Sequence, residues 1–433
     1  MKVSLCTLGC KVNHYESQVL RRLFLDRGDE FVPFGDVCDV CIIHSCTVTE
    51  ESSRKSRQMM RRARRISPQA VVCVLGCLSQ IEPDSLPEAD IVLGNRDKTC
   101  LPSLVDEYLQ SRRPQREVLP IRSHRTFEKM TLVSDERVRA TVKIQDGCCN
   151  FCAYCIIPYA RGPIRSKEIS DAVKEVENLV RQGYREIVLT GIHLDSYGKE
   201  HGRFSLCDLL ERLDVIPNLE RIRLGSTEPV MVTPETVKRL KNIKHLCPHF
   251  NLSLQSGCTT TLQRMRRRYT AEEYEVGVEL LRQAFPDLSL TTDIIVGFPG
   301  ETEEEFAQTL AFAEKIGFSK INVFPFSPRR GTPAWDMPDP VDPAVKKERC
   351  RRLLSLSARL EQRNRERYLG RVLPVLFEQG KNGLYTGTAP NFLSVTVESD
   401  LCLTGKILPV QVVRAENGIC MGDLQNAEKC GII

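Results

Sequence analysis

Apolar residues in the first quarter of the chain come in short, nearly uninterrupted runs: VSLCTLG (3–9), VCIIHSC (40–46), AVVCVLGC (70–77) and DIVLGN (90–95). Runs of this length read as strands buried on both faces. The segments between them are longer and more polar, and predict helices from about Glu16, through the basic stretch Arg54 to Arg65, and near Lys98. That alternation predicts a parallel α/β sheet over residues 1–110. Over 111–137 the pattern dissolves into a charged, proline-containing stretch, SRRPQREVLPIRSHRTFEKM and onward, read as a linker.

A second strand-helix series occupies 138–366. Its strands are VRATVKI, EIVLTGI, RIRLGS, HFNLSLQSG, LSLTTDIIVGFPG and KINVFPFS, with amphipathic stretches such as EISDAVKEVENLVRQGY between them. Six strands are fewer than the eight of a closed (β/α)8 barrel, so a partial (β/α)6 barrel with a lateral opening is expected. Over 367–433 the runs RVLPVLFEQG, GLYTGTAPNFLSVTVES, KILPVQVVRAENG and CMGDL are short and separated by Gly and Asn turns. They predict a small antiparallel β-barrel of the kind that handles nucleic acids.

The length, 433 residues, allows two or three domains, and 41% hydrophobic with 27% charged residues is ordinary for a globular protein. No signal-peptide pattern opens the chain and no apolar run is long enough to cross a bilayer, so a cytoplasmic location is expected. Disulfides are not expected there, although the chain has 19 cysteines. Cys38, Cys41, Cys73, Cys100, Cys207, Cys247, Cys258, Cys350, Cys402, Cys420 and Cys430 read as small buried hydrophobes. Net charge is only +5, but the basic residues cluster. Arg54, Lys55, Arg57, Arg61, Arg62, Arg64 and Arg65 crowd one helix, Arg264 and Arg266 to Arg268 form a second run, and Lys346 to Arg367 holds nine Lys/Arg against three Glu. Three such runs point to a polyanionic partner.

Six cysteines stand apart. Cys148, Cys152 and Cys155 in DGCCNFCAYCIIPYARG have C-x3-C-x2-C spacing with no fourth ligand in the pattern. A structural zinc site is closed by four ligands, and Cys149 is too close to Cys148 to converge easily with it on one tetrahedral ion. An iron-sulfur cube held by three thiolates keeps one iron open. Cys10, Cys46 and Cys77 each follow an apolar strand, in TLGCKVN, HSCTVTEES and LGCLSQ. Parallel strands present their carboxyl ends at one edge, so these three should meet there and could hold a second cluster.

The C-x3-C-x2-C loop resembles that of radical S-adenosylmethionine (SAM) enzymes. With TLGCKVNHYES, SCTVT and GCLSQ ahead of it, the whole chain resembles a methylthiotransferase. The resemblance implies an N-terminal methylthiotransferase domain, a radical SAM domain and a C-terminal TRAM domain. It implies two 4Fe-4S clusters, one on Cys148, Cys152 and Cys155 that cleaves SAM, and an auxiliary one on Cys10, Cys46 and Cys77 that supplies sulfur. It further implies SAM contacts from Gly191, Ser226, Glu228, Gln255, Ser256 and Gly297. Among the branches, KIQDGCCNFCAYCIIPYARGPIRS, LTGIHLDSYG, LGNRDK and MRRRYTAEEY are most similar to the one acting on threonylcarbamoyladenosine in tRNA. The isopentenyladenosine branch has a GQNVN-like run, and the ribosomal-protein branch AQD, where this chain has Gly191 to Leu194. His44-Ser45 and Cys149 depart from the usual pattern without removing a ligand. Partners implied are a tRNA anticodon stem-loop carrying threonylcarbamoyladenosine, an external electron donor and a sulfur source. The alternatives are methylthiolation of isopentenyladenosine or of a ribosomal-protein aspartate and, in another class, a non-catalytic iron-sulfur RNA-binding protein.

Overall fold

The computed structural model describes residues 1–416 and 418–425. Strands β1 (Lys2–Thr7), β2 (Glu30–Val32), β3 (Val40–Ser45), β4 (Val71–Gly76), β5 (Ile91–Leu93) and β6 (Gln115–Glu117) form one parallel sheet in the order β2-β1-β3-β4-β5-β6. Helices α1 (Lys11–Asp26) and α4 (Leu101–Ser111) pack Leu20, Phe24, Leu101 and Val105 on one face. Helices α2 (Glu50–Ile66) and α3 (Cys77–Ile81) cover the other with Met60, Ala63 and Leu78. Strands with both faces covered must be apolar throughout, which is why their runs are continuous.

Three details depart from expectation. Helix α1 begins at Lys11, not near Glu16, so Cys10 is its N-cap residue and Glu16 is buried inside it. Residues 115–117, read as linker, are the sixth strand, paired with Ile91 to Leu93. β2 was also invisible in the pattern, and both are three-residue edge strands with no fully buried residue. Edge strands are commonly short, and three residues, Glu-Phe-Val in β2 and Gln-Arg-Glu in β6, are too few to show a hydrophobic pattern.

The central segment follows as β7 (Ala140–Lys143), β8 (Gln145–Asp146), α5 (Ile157–Arg161), β9 (Arg165–Ser166), α6 (Ile169–Arg181), β10 (Glu186–Thr190), α7 (Leu206–Leu213), β11 (Arg221–Leu224), β12 (Ser226–Thr227), α8 (Pro234–Lys241), β13 (His249–Leu252), α9 (Thr259–Arg264), α10 (Ala271–Ala284), β14 (Ser289–Val296), α11 (Glu303–Ile316), β15 (Lys320–Pro325) and α12 (Pro343–Glu366). Parallel sheets β11-β10-β7 and β12-β13-β14-β15 are joined by the bridge between Ile222 and Leu246. The result is the expected six-stranded partial barrel. Antiparallel β8 and β9 clamp the two ends of the cysteine loop.

The last domain is a closed barrel, β16 (Val372–Lys381), β17 (Leu384–Thr388), β18 (Ser394–Glu398), β20 (Ile419–Leu424) and β19 (Ile407–Glu416), in the order 16-17-18-20-19. It is not wholly antiparallel, because β18 and β20 close it as a parallel pair. It docks on the amino ends of β10, β11 and β13. Arg221 donates to the Thr388 and Pro374 carbonyls at 2.9 and 2.6 Å, buried Glu186 accepts from Arg223 at 2.7 Å, and Phe392 stacks on His249 at 4.4 Å. The carboxyl ends of the strands are left for chemistry.

Cys402 is exposed and Cys100 and Cys350 are half-buried, against expectation: Cys402 lies in the loop between β18 and β19, Cys100 just before α4 and Cys350 on a partly covered face of α12. Cys430 lies outside the described residues. Among the described residues no helix is long and apolar enough to cross a membrane.

Candidate metal and cofactor centre

Chain direction at the cysteine loop is set by Gly147, whose φ of +73° suits glycine and where a Cβ would lie 1.9 Å from the Pro163 carbonyl oxygen. The Cys148 amide then donates to the Gly162 carbonyl at 3.0 Å, closing the loop at its base, and the Cys155 amide donates to the Cys152 carbonyl at 2.9 Å. Burial pushes the Cys148 thiol up to about 12 and Cys155 higher, and in each case the neighbouring sulfurs add to the rise. Donors meet two of these sulfurs: the Asn150 amide lies 3.4 Å from Cys148 Sγ and Arg267 Nη1 3.3 Å from Cys152 Sγ. Three thiols gathered in one loop beside N–H donors fit thiolates on a metal, which would remove the protons that burial otherwise retains.

Beside the loop sits a polar group whose members follow β8, β10 and β12, with Arg267 supplied from the turn after α9. Glu228 takes Arg267 Nη1 at 3.0 Å and Asn150 Nδ2 at 3.2 Å, while His193 Nε2 lies 3.5 Å from Glu228 and 3.8 Å from Asp195. Burial opposes ionisation of Glu228, but His193 and Arg267 override it and hold the carboxyl at about 2. Burial pushes Asp195 up to about 7. Arg267 Nη2, His193 Nδ1 and Asp195 Oδ1 are buried without partners. Two carboxylates beside an incompletely satisfied guanidinium suit a zwitterion better than a bare cation, although the His193, Asp195 and Glu228 ligand atoms lie within 4.8 Å of one another.

The six positions expected to touch SAM divide. Glu228 is in this group. Gly191 allows the turn after β10, because a Cβ there would meet the Gln145 side chain at 2.9 Å, and Gln145 Oε1 accepts from the His193 amide at 2.7 Å. Ser226 is exposed and accepts from Asn251 at 2.9 Å, and Gln255 sits at φ +68° with its backbone bonded to β14. Ser256 and Gly297 also make close contacts within the fold. The Ser256 hydroxyl is fully buried against Thr309 at 3.1 Å, and Gly297 is needed because a Cβ would lie 2.1 Å from the Lys346 stem. Asn150, His193, Asp195 and Arg267 were not anticipated. Their signals were present, in the GIHLDS turn and in the run Arg266 to Arg268, which was read as an RNA surface although the Arg267 side chain is only 4% exposed.

Cys10, Cys46 and Cys77 do meet. A Cβ at Gly9 would lie 3.0 Å from Cys46 Sγ, and burial with the nearby Cys77 and Cys10 thiols raises Cys46 to about 11. Asn13 accepts from the Cys10 thiol at 3.9 Å, and Asn95 Nδ2 lies 3.5 Å from Cys77 Sγ and 2.9 Å from the Ala160 carbonyl. α3 packs on α5, so the two cysteine sets share a wall. Inside that wall Arg161 is fully buried, donating to Asn13 at 2.6 Å, Glu16 at 3.1 Å and Asp146 at 3.2 Å. Lys143 bonds both Glu16 and Asp146 at 2.6 Å, Lys98 lies 3.4 Å from Glu16 and 3.5 Å from Glu128, and Arg165 lies 3.5 Å from Asp146. Four cations face three carboxylates, and Arg161 Nε has no partner. That surplus of positive charge fits an anionic group held by the three N-terminal cysteines.

The basic runs are largely neutralised within the fold. Arg54 pairs with Glu51, Arg57 with Glu50, Arg61 with Glu88, Arg64 with Asp90, Arg264 with Glu305 and Arg349 with Glu301. Their partners lie outside the runs, so the runs looked unopposed in sequence.

Residues 142–313 match the family model described as the radical SAM superfamily, and 2–94 match the one described as uncharacterized protein family UPF0004. A threonylcarbamoyladenosine tRNA methylthiotransferase, MtaB, of Bacillus subtilis is 40% identical over 95% of this chain and 94% of its own length. A tRNA-2-methylthio-N(6)-dimethylallyladenosine synthase of Acetivibrio thermocellus is 34% identical over 94% of this chain and 87% of its own. The fold is shared with the radical SAM methyltransferase TsrM of Kitasatospora setae, with TM-score 0.57 at 16% identity, covering 77% of each chain.

Proposed function

The chain belongs to the family of radical SAM tRNA methylthiotransferases, and from that premise we propose that it places a methylthio group on C2 of N6-threonylcarbamoyladenosine at position 37 of tRNA. The observation that carries the reading is the pair of three-cysteine sets, on two domains, separated by one buried cationic wall. When bound, an iron-sulfur cluster at Cys148, Cys152 and Cys155 supplies the electron for SAM cleavage and one at Cys10, Cys46 and Cys77 the sulfur to be methylated. An external electron donor and a sulfur source complete the turnover. Arg267 is suited to orient the carboxylate of SAM's methionyl part and Asp195 its ammonium, since both keep unused hydrogen-bonding atoms, with Glu228 beside them. Gln145 holds the His193 turn in place. The choice of threonylcarbamoyladenosine is supported by the Gly191-Ile192-His193-Leu194 run and by the higher identity of the relative bearing that substrate's name.

Replacing Arg267 with Ala should raise the KM for SAM in RNA-independent cleavage by about tenfold to a hundredfold, as loss of a charged hydrogen bond of ~1.5–3 kcal/mol does. Iron content serves as the control, because Arg267 also touches Cys152. Unchanged SAM affinity at full iron content would remove Arg267 from the SAM site. For the substrate, nucleosides from tRNA incubated with the reconstituted enzyme are weighed by mass spectrometry. Threonylcarbamoyladenosine tRNA should gain the methylthio mass, and tRNA lacking that group should not. Efficient conversion of isopentenyladenosine tRNA instead would move the chain to that branch.

A further inference from the structure

Phosphate contacts from basic residues position an RNA but do not receive its bases, so an RNA loop calls for further partners at the cysteine end. Among the described residues four Phe and Trp side chains are exposed: Phe151 at 44%, Phe324 at 43%, Trp335 at 49% and Phe392 at 40%. Phe392 is the interface residue stacked on His249. Phe151 and Trp335 border the cysteine loop, and Phe324 stands at the open edge of the barrel, in a groove it lines with Leu354 and Ser357 of α12.

Phe151 lies between Cys148 and Cys152 at φ 47°, a left-handed conformation that costs a bulky residue energy. Its ring meets Tyr159 edge to face at 5.5 Å, and exposed Arg122 lies 5.5 Å from the Tyr159 ring centre. Trp335 ends the single turn Pro333–Trp335. The Ala334 amide before it donates to the Ala153 carbonyl at 2.8 Å, and Ala334 packs with Ala153, Met265 and Phe298, so the turn is fastened to the cysteine loop while the indole stays outside. Phe324 stands near the end of β15, an edge strand of the partial barrel.

The segment between Phe324 and Trp335 is also tied to the N-terminal domain. Buried Arg329 donates to Thr47 at 2.6 Å, Glu50 at 2.6 Å and Glu82 at 2.8 Å, and the Ser327 hydroxyl accepts from the Glu50 amide at 3.0 Å. It therefore runs from beside Cys46 to beside Cys152, leaving Arg330 exposed on the way. Scattered exposed apolar residues need no explanation. Exposed rings on tethered backbone, interleaved with arginines, are the chemistry of single-stranded nucleic acid, whose bases stack on aromatic faces while guanidiniums meet the phosphates.

We propose that the rim of Phe151 and Trp335, with Arg122 and Arg330, is the stacking surface that receives the unpaired anticodon-loop bases flanking the modified adenosine. The inference rests on the tRNA reading above. Trp335 is the only tryptophan of the chain, so its fluorescence reports the rim directly. Titrating the reconstituted full-length protein anaerobically with an anticodon stem-loop RNA should give saturable quenching, and blunt duplex RNA of equal length should not. Trp335→Ala should weaken stem-loop binding about tenfold, and Trp335→Phe should retain most of the affinity. Iron content and thermal midpoint are the folding controls. Stem-loop binding that leaves the fluorescence and the Trp335→Ala affinity unchanged, or equal quenching by the duplex, would overturn the rim alone. Failure of the wild-type protein to bind any stem-loop would overturn the tRNA reading with it.

Discussion

Protein in which Cys148, Cys152 and Cys155 are all replaced by Ala is expected to lose about half of the roughly eight irons of the reconstituted enzyme and all reductive SAM cleavage. Burial and the neighbouring sulfurs push the Cys148 and Cys155 thiols up, so thiolates gathered in this loop gain from a metal that holds them together. The companion variant, with Cys10, Cys46 and Cys77 replaced by Ala, should also lose about half of the iron. It should keep SAM cleavage and make no methylthiolated nucleoside. This division of labour follows from the placement of the sets on separate domains. Iron unchanged in the first variant, or zinc in its place, would overturn the cluster assignment, and product formed by the second would show that sulfur does not pass through the N-terminal site.

Substituting Glu16 with Gln should destabilise the apo-protein by about 3–5 kcal/mol, the usual cost of leaving a buried charge without its partner. Glu16 is fully buried and is the shared acceptor of Arg161, Lys143 and Lys98, so neutralising it leaves these cations with only Asp146 and Glu128 to balance them. Burial alone would raise the Glu16 and Asp146 pKa values, but the surrounding cations hold both well below the carboxylate range. A carboxylate depressed in the folded state contributes stability that is present above its unfolded pKa and is lost as pH falls through the folded one. Wild-type apo-protein should therefore weaken progressively below about pH 4, and Glu16→Gln should show a shallower acid slope. Denaturant midpoints across pH measure both. A variant within 1 kcal/mol of wild type, as surface changes are, would mean that the wall is not held by this network.

The six cysteines, the parallel N-terminal sheet, the six strands of the partial barrel and the small terminal barrel could be read along the chain, because each depends on local regularities. Apolar runs set the strands, and cysteines following them sit at one edge by geometry. The C-x3-C-x2-C spacing keeps its ligands within one loop, so no tertiary information is needed to group them. Edge strands β2 and β6 could not be read, since three residues are too few to show a pattern and β6 is wholly polar.

What only the tertiary structure decided is which charges face each other. Arg57 and Arg64 looked like free phosphate contacts until Glu50 and Asp90 came to meet them. Arg267 looked like part of a surface and lies instead against Cys152 and Glu228. Glu16, Lys98, Lys143, Asp146 and Arg161 span 145 residues from first to last and form one buried wall. Hydrophobic periodicity and ligand spacing are properties of a segment and survive in one dimension. A charge acquires its role from its nearest opposite charge and from the water it has lost, and both are fixed only when distant segments pack.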